Sequence, residues 1–119
     1  VNDWSKRYPK TSLNYFYDKK LDRLIPSSFE GRIYRIIQEA LTNITKHSNP
    51  KKVNISFKLK NSKKEFEIII FNDGVKSKIN KEDGVGLLGM IERVSQMNGK
   101  INIKKRQNFE IYITLKTIK

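Results

Sequence analysis

Four polar residues recur about one helical turn apart: Glu39, Asn43, Lys46 and His47. A carboxylate, a carboxamide, an ammonium and an imidazole on one side of a helix can together hold a metal ion and a polyanion. A solvated polar face is the plainer reading of such a stripe, and the mixture of groups speaks against it. Two other stretches carry chemistry. Asn72-Asp73-Gly74 ends an apolar run; most such tripeptides are plain turns, but an amide or carboxylate there can accept a hydrogen bond from a purine amino group. Gly84, Gly86 and Gly89 spell G-x-G-x-x-G. Glycines opening a helix let a phosphate approach its free N–H groups. The dinucleotide-binding reading of those letters fails, because a charged loop and hairpins surround them instead of a βαβ unit. The P-loop reading fails as well, for want of Gly-Lys-Ser/Thr. The helix dipole accounts by itself for Lys46 and His47 near a helix end, and no nucleophile–base pair is visible.

Composition narrows the chemistry. The chain has 119 residues, no cysteine and one histidine. Thiolate zinc sites, cysteine nucleophiles and multi-histidine metal sites are therefore excluded or disfavoured. A metal here takes oxygen ligands, and magnesium is the first expectation. No apolar run is long enough to cross a membrane, and no signal peptide pattern is present. Val1 is read as the start of a piece cut from a longer protein. The formal net charge is +13, spread over many separate lysines, so solvated surface lysines are preferred to a dedicated nucleic-acid face.

The elements that must position these residues follow from periodicity. Ile33, Ile36, Ile37, Ala40, Leu41 and Ile44 form one apolar helical stripe. The helix is predicted to begin after Ser27 or Ser28, as cap, and to stop at Ser48-Asn49-Pro50. Residues 11–18 are a strand candidate. In 53–60, Val53, Ile55, Phe57 and Leu59 alternate with polar residues. After a turn at 61–64, residues 65–71 return, with Glu65, Glu67, Ile69, Phe71 and Asp73 on one face and Phe66, Ile68, Ile70 and Asn72 on the other. The glutamates mark the wetter side, so Asn72 is expected to project to the covered side. Residues 75–83 read as a loop, 84–97 as a helix stopped by Asn98-Gly99, and 100–105 and 109–116 as two further strands. The predicted fold is α+β: a single domain over 1–119, a two-layer sandwich with a mixed, mostly antiparallel sheet covered on one face by two helices. Residues 1–10 read as the end of an upstream helix.

Taken together, YRIIQEALTNITKHS, FNDG and GVGLLGMIERV resemble the N, G1 and G2 boxes of the ATP-binding catalytic domain of sensor histidine kinases, in the GHKL (Bergerat-fold) superfamily. The resemblance covers roughly residues 11–115. The GLLGMxER form is similar to the subgroup that partners helix-turn-helix response regulators. The resemblance implies ATP and Mg²⁺ as ligands, with Asn43 on magnesium, Glu39 beside it, and Lys46 and His47 near the phosphates. It implies Asn72 at the adenine, Asp73 beside it, Gly74 admitting the purine, and 75–83 as the ATP lid. Gly84, Gly86, Leu87 and Gly89 would flank the phosphates. It further implies a protein-histidine kinase whose γ-phosphoryl passes to a histidine on a separate dimerisation domain and then to a response regulator. The parent would be a membrane-associated homodimer with this domain in the cytoplasm.

The sequence departs from the pattern. Asn72 stands where the family usually has Asp, which lowers the expected affinity for nucleotide. Asp73 as the adenine contact is the alternative, and the strand parity speaks against it. Lys76 replaces a glycine, and Ile91 stands where Arg is common. His47 lies in the N box and is not the phosphoacceptor, so the chain alone is expected to bind ATP without autophosphorylating. The rival readings are a degenerate relative serving as a signalling interaction module, a basic nucleic-acid-binding domain, and a serine kinase of the same superfamily.

Overall fold

The computed structural model describes residues 6–8, 10–47, 50–74, 81–105 and 108–118, with the backbone alone at 47 and 81–86. Five strands form one sheet: β1 (Ser12–Tyr17), β2 (Lys52–Leu59), β3 (Glu65–Asn72), β4 (Lys100–Lys105) and β5 (Phe109–Lys116). Their spatial order is β1-β2-β3-β5-β4. β1 runs parallel to β2, and every other neighbouring pair is antiparallel. Two helices, α1 (Glu30–His47) and α2 (Lys81–Gln96), pack on one face. The fold is the α+β sandwich that the alternation predicts.

The core lies between the helices and that face. Ile33, Ile36, Ala40, Leu41 and Ile44 of α1 are buried, and Ile37 is half-buried beside them. They meet the inward side chains of the sheet, among them Ile55, Phe66, Ile68 and Ile113. Burying one such side chain contributes about 1.5–3 kcal/mol, so the apolar stripe both forms α1 and fixes which of its faces looks outward.

Connectivity sets the direction of both helices. β1 starts opposite Lys52 and ends opposite Phe57, so the chain enters α1 at the far end of the sheet and leaves it next to β2. β3 ends at Asn72, opposite Val53, which is the end where α1 finishes. Six residues separate Gly74 from Lys81, and α2 then runs back to Lys100, which lies opposite Thr114 at the far end. The helices are therefore antiparallel. The end of α1, the end of β3 and the start of α2 share one end of the sheet.

Three expectations need correction. The second helix opens at Lys81, not at Gly84, so Gly84 and Gly86 lie within its first two turns. Of the loop read over 75–83, 75–80 lie outside the described residues and 81–83 are helical. Ser27 and Ser28 sit in a 3-10 turn, Ser27–Phe29, that leads directly into α1. Most of the upstream helix expected over 1–10 falls outside the described residues.

Candidate functional site

The end of β3 is built by two neighbours with opposite environments. Asn72 is 1% exposed and shares the covered face with Phe66, Ile68 and Ile70. Its Nδ2 donates to the Asp73 carbonyl at 2.9 Å. Asp73 turns the other way. Its Oδ1 accepts from the backbone N–H groups of Lys51 and Lys52 at 2.8 and 3.0 Å, and its own N–H donates to the Lys52 carbonyl at 3.3 Å. Asp73 thus ties the segment leaving α1 to the end of β3. Sequence reasoning placed it beside the adenine and missed this latch. An Asx side chain at a strand end, one residue out of phase with the buried parity, is the signal that could have found it. Gly74 follows with φ 68°, in the left-handed region that glycine enters without steric cost.

On α1, Glu39 and Asn43 are half-buried and Lys46 is exposed. The side chain of His47 lies outside the described residues. The Asn43 Nδ2 is buried and makes no hydrogen bond among the described residues. Such a buried polar atom costs about 1–3 kcal/mol. A carboxamide presents an oxygen or a nitrogen with nearly the same shape, so Asn43 can turn its oxygen to the place where an acceptor is wanted. Among the described residues no group of three or more His, Cys, Asp or Glu side chains gathers to cage a metal. One carboxamide oxygen with a half-buried carboxylate a turn away suits magnesium, which takes few protein ligands and keeps phosphate and water oxygens for the rest.

Of the three glycines, Gly84 and Gly86 lie in the helical backbone near the start of α2. Gly89 has a packing reason of its own: a Cβ there would come within 3.1 Å of Arg93 Nη1. Leu87 is half-buried against the core. The fold therefore carries Asn43, Lys46, Asn72, Gly74 and the first turns of α2 to one end of the sheet.

Comparison with known proteins agrees with this architecture. A family model described as histidine kinase-, DNA gyrase B-, and HSP90-like ATPase matches residues 29–118. Sensor histidine kinase LiaS of Bacillus subtilis is 36% identical over 78 residues, covering 66% of this chain and 22% of LiaS. Signal transduction histidine-protein kinase/phosphatase DegS of the same organism is 30% identical over 101 residues, covering 80% of this chain and 26% of DegS. The chain thus spans about a quarter of the length of these relatives. Among solved structures, the Erythrobacter litoralis EL346 blue-light activated histidine kinase superposes with a TM-score of 0.74 at 15% identity, over 96% of this chain and 38% of that one. The nucleotide-free catalytic domain of histidine kinase ThkA gives 0.72 at 15% identity, over 96% and 83%. At such identities these structures speak for the fold.

Proposed function

Since the chain belongs to the histidine kinase-, DNA gyrase B- and HSP90-like ATPase family, we propose that it is the ATP-binding catalytic domain of a sensor histidine kinase. The observation that carries this reading is the Asn43 carboxamide, half-buried on the helix-end face with its Nδ2 lacking a partner among the described residues. Asn43 would hold Mg²⁺ through its oxygen, with Glu39 orienting a water in the metal's outer shell. When bound, the ion neutralises charge on the phosphates. Lys46, at the end of α1, supplies further positive charge to the polyphosphate, with His47 beside it near the phosphates. Asn72 accepts from the adenine amino group through its amide oxygen, and Gly74 keeps the backbone beside it narrow. Gly84, Gly86, Leu87 and Gly89 form the phosphate side of the pocket. Catalysis would then rest on positioning and charge neutralisation rather than on a protein nucleophile.

The whole kinase would pass the γ-phosphoryl to a histidine on its dimerisation domain and thence to a response regulator. This domain would lie on the cytosolic side of a membrane-anchored homodimer. No described helix is long and apolar enough to cross a membrane. Titration with Mg-ATP tests the reading. Binding that needs Mg²⁺ and is lost in Asn43→Ala is the expected result. Absence of binding at millimolar nucleotide would favour a signalling module without phosphotransfer.

A further inference from the structure

Away from the proposed nucleotide end, the first turns of α1 meet the last turns of α2. Ser28, Gly31, Arg32 and Arg35 face Arg93 and Gln96 across a groove of about 390 Å³. Positions 28, 31, 32 and 35 fall at helical spacing along one stripe, as do 93 and 96. Three arginines therefore line one concavity, and among the described residues no carboxylate lines it. Among the described residues none of the three forms an ion pair. Like charges at i and i+3, such as Arg32 and Arg35, destabilise a helix slightly, and a third cation facing them adds to the repulsion.

The groove is also partly assembled. Arg32 Nε donates to Gln96 Oε1 at 3.1 Å, and Arg32 Nη1 donates to the Ser28 carbonyl at 3.4 Å. These bonds fix the Arg32 fork and join the two helices. Arg93 lies down on its own helix, with Nη1 in the space that a side chain at position 89 would fill. That Nη1 is buried and lacks an acceptor among the described residues. A cationic nitrogen withdrawn from water without an acceptor or counter-charge is costly. An anion held in the groove would offset that cost.

We propose that this groove binds a phosphoryl-type oxyanion. Three forks suit a tetrahedral dianion better than a carboxylate, because guanidinium groups pair with phosphate bidentately and the site's charge exceeds what one carboxylate neutralises. Bound there, the anion bridges α1 and α2, the helices that frame the nucleotide end. None of the groove's lining residues belongs to the nucleotide pocket, although Arg93 packs on Gly89, which does.

The test is thermal unfolding of the 119-residue chain in inorganic phosphate, against chloride at equal ionic strength. With phosphate at about twenty times its Kd, the midpoint should rise by roughly 7 °C. Arg35→Gln and Arg93→Gln should each lose most of that rise, whereas Asn43→Ala should keep it. Arg35→Gln serves as the safeguard, because Arg35 is exposed and its loss leaves the packing of Gly89 intact. O-phosphoserine forms the second arm. Equal responses to both would mean that the groove reads the phosphoryl group itself, and a response to the ester alone would mean a group carried on another molecule; either supports the proposal. No response to either probe beyond chloride, or a response that survives both arginine substitutions, overturns it.

Discussion

Asp73 Oδ1 takes two backbone N–H groups from the segment that leaves α1, while Asn72, one residue earlier, is buried on the opposite face. This division makes separate predictions for neighbouring residues. Asp73→Ala removes two exposed hydrogen bonds and should cost about 0.5–1.5 kcal/mol, read as a lower urea midpoint with an unchanged m-value. Any loss of nucleotide affinity would then follow the loss of folded protein. Asn72→Asp should do the reverse. A carboxylate accepts from an adenine amino group more strongly than an amide does, so nucleotide should bind tighter. The burial of an uncompensated charge in the free protein should meanwhile lower its stability. If Asp73→Asn weakens binding in fully folded protein and Asn72→Asp leaves it unchanged, Asp73 is the adenine contact.

At the scale of elements, the junction between α2 and β4 separates two roles that the sequence joins in Asn98-Gly99. Asn98 carries the left-handed φ of 55°. Its N–H donates to the Ser95 carbonyl, and the Gly99 N–H donates to the Val94 carbonyl, both at 2.9 Å. This is a Schellman ending with Asn98, not Gly99, in the left-handed position. Gly99 is small for another reason. A Cβ there would lie 2.4 Å from Leu115 Cδ2, 2.8 Å from the Thr114 carbonyl oxygen and 3.0 Å from Val94 Cγ1. The carbonyl belongs to β5 and cannot move aside. Gly99→Ala should therefore destabilise by about 1–3 kcal/mol, whereas Asn98→Gly should be neutral within about 0.5 kcal/mol. A neutral Gly99→Ala in chemical denaturation would contradict the close packing of α2 on β5.

The same junction marks how far the sequence was legible. Strands β2 and β3 could be read to within a residue because one face is buried and the other wet, so parity follows from burial; the position of Asn72 came with it. The stripe from Ile33 to Ile44 could be read for the same reason. The start of α2 could not. Lys81-Glu82-Asp83 has no apolar residue to carry a period, although acidic residues suit the first turn of a helix. The Asp73 latch and the arginine groove were hidden differently. Both depend on segments distant in sequence, Lys51 with Asp73 and Arg32 with Gln96, and no local pattern reports such pairs.

For the whole molecule the governing quantity is charge. On the open face of the sheet, lysines stand opposite glutamates: Lys58 faces Glu67, Lys116 faces Glu65 and Lys104 faces Glu110. Each such cross-strand pair contributes about 0.2–1 kcal/mol, and salt weakens it. Against these three attractions stands a formal net charge of +13, held within a radius of gyration of 14.2 Å. Most charges therefore lie closer together than the Debye length of about 30 Å at 10 mM salt, and beyond its reach at about 8 Å in 150 mM. Unfolding spreads these charges apart, so their repulsion falls on the folded state. Repulsion among the excess cations outweighs the three pairs, and sodium chloride should raise the unfolding midpoint between 10 and 150 mM. A gain of about 1 kcal/mol corresponds to roughly 4 °C in a chain of this size. Lys58→Gln, which removes one attractive pair, should leave the slope against salt nearly unchanged, because one pair is small beside the excess. A midpoint that falls with salt would mean instead that paired charges dominate the stability of this domain.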